Sequence, residues 1–346
     1  IKESKMDSQK LIDTAQALVV KSKGILAADE SHPTMGRRLK SIGVESTEEN
    51  RRTWRELLFC TDGIGETISG VILFDETIRQ DASDGRTMVE ILKSQNIIPG
   101  IKVDKGAKPL AGTEGETITE GLDGLRERCE EYYELGARFS KWRAPIAIAK
   151  NLPTAHCLDS NSHALARFAA ISQETGLVPI VEPEVLMDGD HDINKCYQVT
   201  AKVLKECYKE LNRHKVNLKG TILKPNMILP GNKSQNKSNS SEIAKMTLKC
   251  LKENVPSEVP GIAFLSGGQT EIEATQNLNE INKINNTNFV MSFSYGRALQ
   301  QSALKNWAKD INDTTNTQKI FNHRSKMNGL STSAKWSMSL ENQITA

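Results

Sequence analysis

The sequence is poor in cysteine, in net charge and in long apolar runs, and each shortage removes a class of function. Six cysteines (Cys60, Cys129, Cys157, Cys196, Cys207 and Cys250) are scattered over 346 residues without a close pair. They supply neither a disulfide framework nor the paired thiolates of a zinc site, and a reducing compartment is expected. Basic residues number 45 against 43 acidic, a net charge of +2. Composition therefore gives no support for nucleic-acid binding or attraction to a membrane surface. No apolar run approaches the ~20 residues that span a bilayer. Residues 1–10 are polar and lack the apolar core of a secretion signal, so a cytoplasmic protein is expected. The six histidines are dispersed, whereas a metal-dependent enzyme needs them clustered, and no metal is expected. No Gly-x-Gly-x-x-Gly turn follows the first apolar segment, which speaks against a dinucleotide-binding sheet.

What is present is an ordinary globular composition, 38% hydrophobic and 25% charged. Short β-branched runs recur, with amphipathic helical stretches between them. Strands are predicted at residues 25–28, 70–74, 97–103, 138–142, 177–181, 220–223, 262–265 and 289–293. Each is continuously apolar, as strands covered on both faces are. Helical stripes include Leu11, Ala15, Leu18 and Val19; Leu122, Leu125, Cys129 and Tyr132; and Val199, Val203, Cys207 and Leu211. Ser46-Thr47-Glu48-Glu49 reads as a capping box ahead of Trp54. Eight strands alternating with helices predict an α/β fold, a single-domain (β/α)8 TIM barrel over residues 1–310, with 311–346 as a final helix and flexible tail. An open doubly wound sheet is the runner-up. Residues 231–241, rich in Asn, Ser and Lys, read as a mobile loop.

In a barrel the chemistry belongs at the C-terminal strand ends. Those ends carry Asp29, Glu30 and Ser31; Asp75 and Glu76; Lys102 and Asp104; Lys141 and Arg143; Glu182 and Glu184; Lys224; Ser266, Gly267 and Gly268; and Ser294, Gly296 and Arg297. Three of these sets are charged pairs two residues apart, which places both members on one side of a strand. Since the helix-facing side is apolar, they point into the barrel mouth. Lys224 ends an apolar run and stops at Pro225, where it cannot reach water as a surface lysine does. Burial pushes such a lysine toward the neutral, nucleophilic form that makes a Schiff base. The glycine turns after the seventh and eighth strands, with Arg297, suit a phosphate. Arg37 and Arg38, with Ser31 and Thr34, form a second basic cluster. Two anion sites across one mouth imply a substrate phosphorylated at both ends. Asp188-Gly189-Asp190-His191-Asp192 reads as a polar connection and not as a metal loop.

From Gly24 to about Trp307 the chain resembles class I fructose-1,6-bisphosphate aldolases. The matching stretches are GILAADES (24–31), GIKVDK (100–105), Lys141-Trp142-Arg143, IVEPE (180–184), LKPNM (223–227), LSGGQ (265–269) and FSYGRALQ (293–300). The resemblance implies a (β/α)8 barrel, usually a homotetramer, with no metal and no organic cofactor. It implies that Lys224 forms the imine with dihydroxyacetone phosphate or the ketose. It makes Glu182 the acid/base of carbinolamine dehydration, Glu184 and Lys141 its supports, and Asp29 the base at the hydroxyl on carbon four. Lys102 and Arg143 orient substrate. By the same resemblance Ser266, Gly267, Gly296 and Arg297 form the 1-phosphate side, Ser31, Thr34, Arg38 and Lys102 the 6-phosphate side, and Ser294 is a further substrate-binding residue. Lys141 and Arg143 are expected to lower the Lys224 pKa.

Two departures stand out. His32-Pro33 replaces two small residues, with a restricted 6-phosphate loop expected from the proline. The family tail usually ends in tyrosine, and residues 311–346 contain none; the consequence expected is on turnover and on the choice between the bisphosphate and fructose 1-phosphate. Competing readings are a transaldolase-like Schiff-base enzyme, disfavoured by the paired anion sites, and an aldolase-like scaffold for cytoskeletal or membrane partners. The complete Asp29, Lys141, Glu182 and Lys224 set speaks against lost catalysis.

Overall fold

Each of the eight apolar runs becomes a strand lying parallel to its neighbours, and the last closes on the first. The computed structural model describes residues 7–343. The barrel strands are β1 (Gly24–Ala28), β2 (Ile68–Leu73), β3 (Ile98–Lys102), β6 (Phe139–Ile146), β7 (Val178–Val185), β8 (Ile222–Leu223), β9 (Gly261–Phe264) and β10 (Val290–Tyr295). Two short antiparallel strands, β4 (Ala107–Pro109) and β5 (Thr117–Thr119), form a hairpin in the connection after β3. Spatial order round the closed barrel is β1-β10-β9-β8-β7-β6-β3-β2. The TIM-barrel expectation holds, and the open sheet is excluded by the pairing of β1 with β10.

The barrel interior explains how the fold positions its charged residues. Ile25, Ala27, Ile72, Phe139, Val178, Ile180, Ile222 and Ala263 pack together inside, plugged by Leu11, Ala15 and Leu18 of the helix Ser8–Leu18. Large rings need small neighbours there. A Cβ on Gly100 would lie 2.2 Å from the Phe139 ring, so only glycine fits. Because side chains alternate across a strand, two further residues along the same inward rows come Asp29 after Ala27, Lys141 after Phe139, Glu182 after Ile180 and Lys224 after Ile222. The dry floor and the charged mouth are successive layers of one inward-facing lattice. A larger apolar cluster, including Trp54, Trp142, Phe168, Phe264 and Trp307, fills the space between strands and helices.

Three local expectations change. The cap at residues 46–49 sits one residue later: the Thr47 hydroxyl accepts from the Asn50 N–H at 3.1 Å. Asn50 stands where a box requires Glu or Gln, so the reciprocal half is missing. Reciprocal boxes occur instead at Thr87/Glu90 and Thr270/Glu273. The segment 231–241 is fastened at its start, with the N–H groups of Gly231, Asn232 and Lys233 donating to the carbonyls of His191, Met187 and Gly189, each at 2.8 Å, and its last two residues open the helix Ser240–Asn254. Past the helix Thr314–Ser331 the chain turns back. The Arg324 guanidinium donates to both Glu341 carboxylate oxygens, at 2.9 and 2.6 Å, and the Trp336 indole N–H to one of them at 2.7 Å. Ile344, Thr345 and Ala346, the last residues of the stretch read as a tail, lie outside the described residues.

Candidate active site

All fifteen residues singled out as catalytic or substrate-binding line one cavity of about 1120 Å³ at the C-terminal strand ends. They are Lys224, Glu182, Asp29, Lys141 and Glu184, with Lys102, Arg143, Ser31, Thr34, Arg38, Ser266, Gly267, Ser294, Gly296 and Arg297. At its centre Lys224 is 4% exposed, Lys141 4%, Glu182 3% and Asp29 8%. Lys224 is set by its main-chain N–H, which donates to the Val181 carbonyl at 2.8 Å. Pro225 then ends the strand, and Asn226 fastens it to β7 by accepting from the Val185 N–H at 2.9 Å.

The charges are interleaved. Lys141 Nζ lies 2.7 Å from Asp29 Oδ2 and 3.4 Å from Glu182 Oε2, and Lys224 Nζ lies 3.6 Å from Glu182 Oε1. Lys102 pairs with Asp104, and Arg143 with Glu184. Burial by itself would raise the Asp29 carboxyl, but the ammonium groups of Lys141, Lys224 and Lys102 outweigh it and hold its pKa at about 2. Burial would likewise lower Lys141; Asp29 and Glu182 reverse that and keep it firmly protonated. Lys102 is lowered, because burial outweighs Asp104 and Lys141 adds to it. Glu182 Oε2 and Ser294 Oγ are buried without a hydrogen-bond partner, so the cavity presents unfilled polar positions to whatever enters it.

Two stretches of the cavity rim differ from this neutralised centre. At one, Gly267 has φ +59°, a left-handed turn suited to glycine, and Arg297 donates to the carbonyls of Gly267 and Gln269 at 3.1 Å each. At the other, Ser31 is the cap of the helix His32–Lys40, and Pro33 falls in its first turn, where proline is already shaped for a helix. The proline is therefore accommodated by the start of the helix. His32 Nε2 lies 2.9 Å from Glu76 Oε2. Arg38 lines this stretch with its guanidinium paired to Glu30, while Arg37 donates to the Thr34 hydroxyl at 3.2 Å.

A supporting layer was missed from sequence. Glu30 is held by Arg38, by Arg55, and by the Gln300 side-chain amide at 3.0 Å. The signal was available: Arg51 and Arg55 share the buried stripe of their helix with Trp54 and Leu58, and two arginines on an apolar face require buried partners. Met187 was missed as well. Its sulfur accepts from the Gly268 N–H at 3.0 Å and sits beneath the glycine turn.

The sequence profile of class-I fructose-bisphosphate aldolases, described as glycolytic, matches residues 10–346. The chain belongs to that family. It is 53% identical over 332 residues to a "Probable fructose-bisphosphate aldolase class 1" of Xanthomonas axonopodis pv. citri, covering 96% of this chain and 99% of the relative. It is 51% identical to the fructose-bisphosphate aldolase of Dictyostelium discoideum, covering 95% and 93%. Among solved structures, the fructose-bisphosphate aldolase of Plasmodium falciparum, crystallised with TRAP and a small-molecule inhibitor, superposes with a TM-score of 0.94 at 46% identity, covering 95% and 96%. The family's barrel accounts for the strand order seen here.

Proposed function

We propose that this class-I aldolase reversibly cleaves fructose 1,6-bisphosphate to dihydroxyacetone phosphate and glyceraldehyde 3-phosphate through a Schiff base on Lys224. The observation that carries the reading is the buried chain Lys224–Glu182–Lys141–Asp29, in which carboxylates and ammonium groups alternate within 3.6 Å. The neutral Lys224 amine adds to the ketone carbon, and Glu182 supplies the proton with which the carbinolamine loses water. The resulting iminium is the electron sink. Asp29 takes the proton of the hydroxyl on carbon four, the bond between carbons three and four breaks toward the iminium, and the aldehyde leaves. Protonation of the enamine and hydrolysis return dihydroxyacetone phosphate and free Lys224. Lys141 stays protonated throughout and holds the two carboxylates apart, with Glu184 fixing Arg143 beside them.

Ser266, Gly267, Ser294, Gly296 and Arg297 take the 1-phosphate; Ser31, Thr34, Arg38 and Lys102 take the 6-phosphate, and Arg143 and Lys102 orient the chain between. Residues 1–310 are the catalytic barrel and 311–346 its C-terminal helix and tail. A cytoplasmic setting fits relatives such as the cytosolic aldolase 4 of Arabidopsis thaliana, 53% identical, and a homotetramer is what the family resemblance leads us to expect. The scaffold reading has one supporting observation, the TRAP complex of the Plasmodium protein, and the complete catalytic chain weighs against it as the main role. Borohydride with dihydroxyacetone phosphate should label Lys224, read by peptide mass. Labelling elsewhere, or full activity in Lys224→Ala, would sink the mechanism. A chelator should leave the cleavage rate unchanged.

A further inference from the structure

Two of the dispersed histidines meet on the helical layer, outside the mouth. His163 projects from the helix Ala155–Glu174, while Glu210 and His214 lie at the end of the helix Ile193–Arg213 and just past it. None of the three lines the active-site cavity. One nitrogen of each ring and a Glu210 oxygen lie within 4.8 Å of one another. Glu210 Oε2 is 3.6 Å from His163 Nδ1 and 3.7 Å from His214 Nδ1. We propose that His163, Glu210 and His214 form a binding site for a divalent transition cation of the zinc class.

Three observations carry this. First, Glu210 is only 7% exposed, and its Oε2 is buried without a hydrogen-bond partner while facing both imidazoles. Arg213 donates to the other oxygen, Oε1, at 2.7 Å, which turns Oε2 toward the rings. A buried carboxylate oxygen without a donor is an unfilled position. Second, the separations suit a cation. Zinc bonds of ~2.0–2.2 Å at the tetrahedral angle place ligand atoms ~3.3 Å apart, a few tenths of an ångström below the 3.6 Å between His163 Nδ1 and Glu210 Oε2. Third, His214 Nδ1 lies 2.9 Å from the Glu210 main-chain carbonyl. Donating there fixes the ring and leaves Nε2 with its lone pair, the support that metal-binding imidazoles ordinarily have. The two rings meet edge to face, with centroids 5.1 Å apart at 70°, so small rotations of the exposed His163 ring converge them. Two imidazoles and a carboxylate suit zinc, nickel or copper rather than magnesium or calcium. A fourth position is open to water on the exposed His163 side. Bound there, the cation clips two neighbouring helices of the barrel wall.

The test uses the full chain and zinc alone. After incubation and desalting, the wild type should retain one zinc per chain by elemental analysis, and His163→Ala and His214→Ala less than a tenth of that. Glu210→Gln should weaken binding at least tenfold. Cobalt should give the visible band of a four-coordinate site without a thiolate charge-transfer band. Retention unchanged in His163→Ala, a thiolate band, or no retention by the wild type would overturn the proposal. Unchanged fructose-bisphosphate cleavage in His163→Ala confirms that the variant is folded. Should His214→Ala not fold, the exposed position of His163 keeps the test decisive.

Discussion

Replacing Lys141 with methionine tests the electrostatic reading of the site most directly. Methionine keeps the unbranched shape and removes the charge. In the wild type the Asp29 carboxyl falls from its ordinary 3.8 to about 2. At ~1.4 kcal/mol per pH unit this corresponds to about 2 kcal/mol of stabilisation. The folded value lies below the unfolded one, so the contribution is fully present above pH ~4 and disappears as pH falls toward 2. In Lys141→Met the nearest opposing charge is gone and burial dominates, raising Asp29. Its carboxylate then opposes folding at neutral pH, and acidification relieves it. Leaving Asp29 and Glu182 without their shared cation should destabilise the variant by about 3–5 kcal/mol at pH 7. The deficit, read from urea midpoints of wild type and variant across pH 7 to 3, should shrink as pH falls. A deficit constant across that range would assign the loss to packing and refute the charge argument. Lys141→Arg should recover part of the difference, while cleavage activity stays low in both because the ammonium position changes.

The remaining expectations are narrower. Arg37→Ala should raise KM for fructose 1,6-bisphosphate more than for fructose 1-phosphate, whereas Arg38→Ala, losing its pair with Glu30, should lower the thermal midpoint; equal KM effects on both substrates would contradict the first. A Cβ on Gly268 would fall 2.4 Å from the Met187 sulfur, so Gly268→Ala should raise KM several-fold, and the added Met187→Ala should recover part of it; no recovery would remove Met187 from the support of the turn. Burial opposes the ionised Glu341, but Arg324 and Trp336 outweigh it and lower its pKa. Glu341→Gln should therefore cost about 1–3 kcal/mol at pH 7, and the gap to the wild type should close as pH falls below ~4.5.

The barrel was legible because its strands are buried on both faces and so read as largely apolar runs, each ending at a charged residue or at a serine just before a glycine turn. The period of two then fixed which of those residues share the mouth: Lys141 with Arg143, Glu182 with Glu184. The hairpin of β4 and β5 escaped because Ala107–Pro109 is exposed, so no apolar alternation marks it. The Glu30 support escaped for a different reason, since its partners Arg55 and Gln300 lie 25 and 270 positions away. The histidines illustrate the same limit. Dispersed in sequence, His163 and His214 are brought together by two adjacent helices whose contact no spacing rule encodes.

On the proposed reading, charge balance favours phosphate positions away from Lys224. Near Lys224 three further cations (Lys102, Lys141 and Arg143) face four carboxylates (Asp29, Asp104, Glu182 and Glu184), so the centre offers no surplus positive charge whether or not Lys224 carries a proton. A bisphosphate brings a charge of roughly −3 to −4, which a neutralised centre cannot hold. Among the described residues Arg297, Arg37 and Arg128 line the same cavity bonded to carbonyls or a hydroxyl rather than to a carboxylate, and Lys105 and Lys108 line it without an ion pair; Arg297 and Arg37 are those beside the proposed phosphate-binding residues. Their fields are undiminished by an internal counter-ion, and they project from the adjacent connections after β10 and β1. Arg38, by contrast, is already neutralised by Glu30. On this argument Arg37, more than Arg38, supplies the attraction at the 6-phosphate side. The paired centre, Lys102 apart, is left free to move protons rather than to hold the substrate's charge.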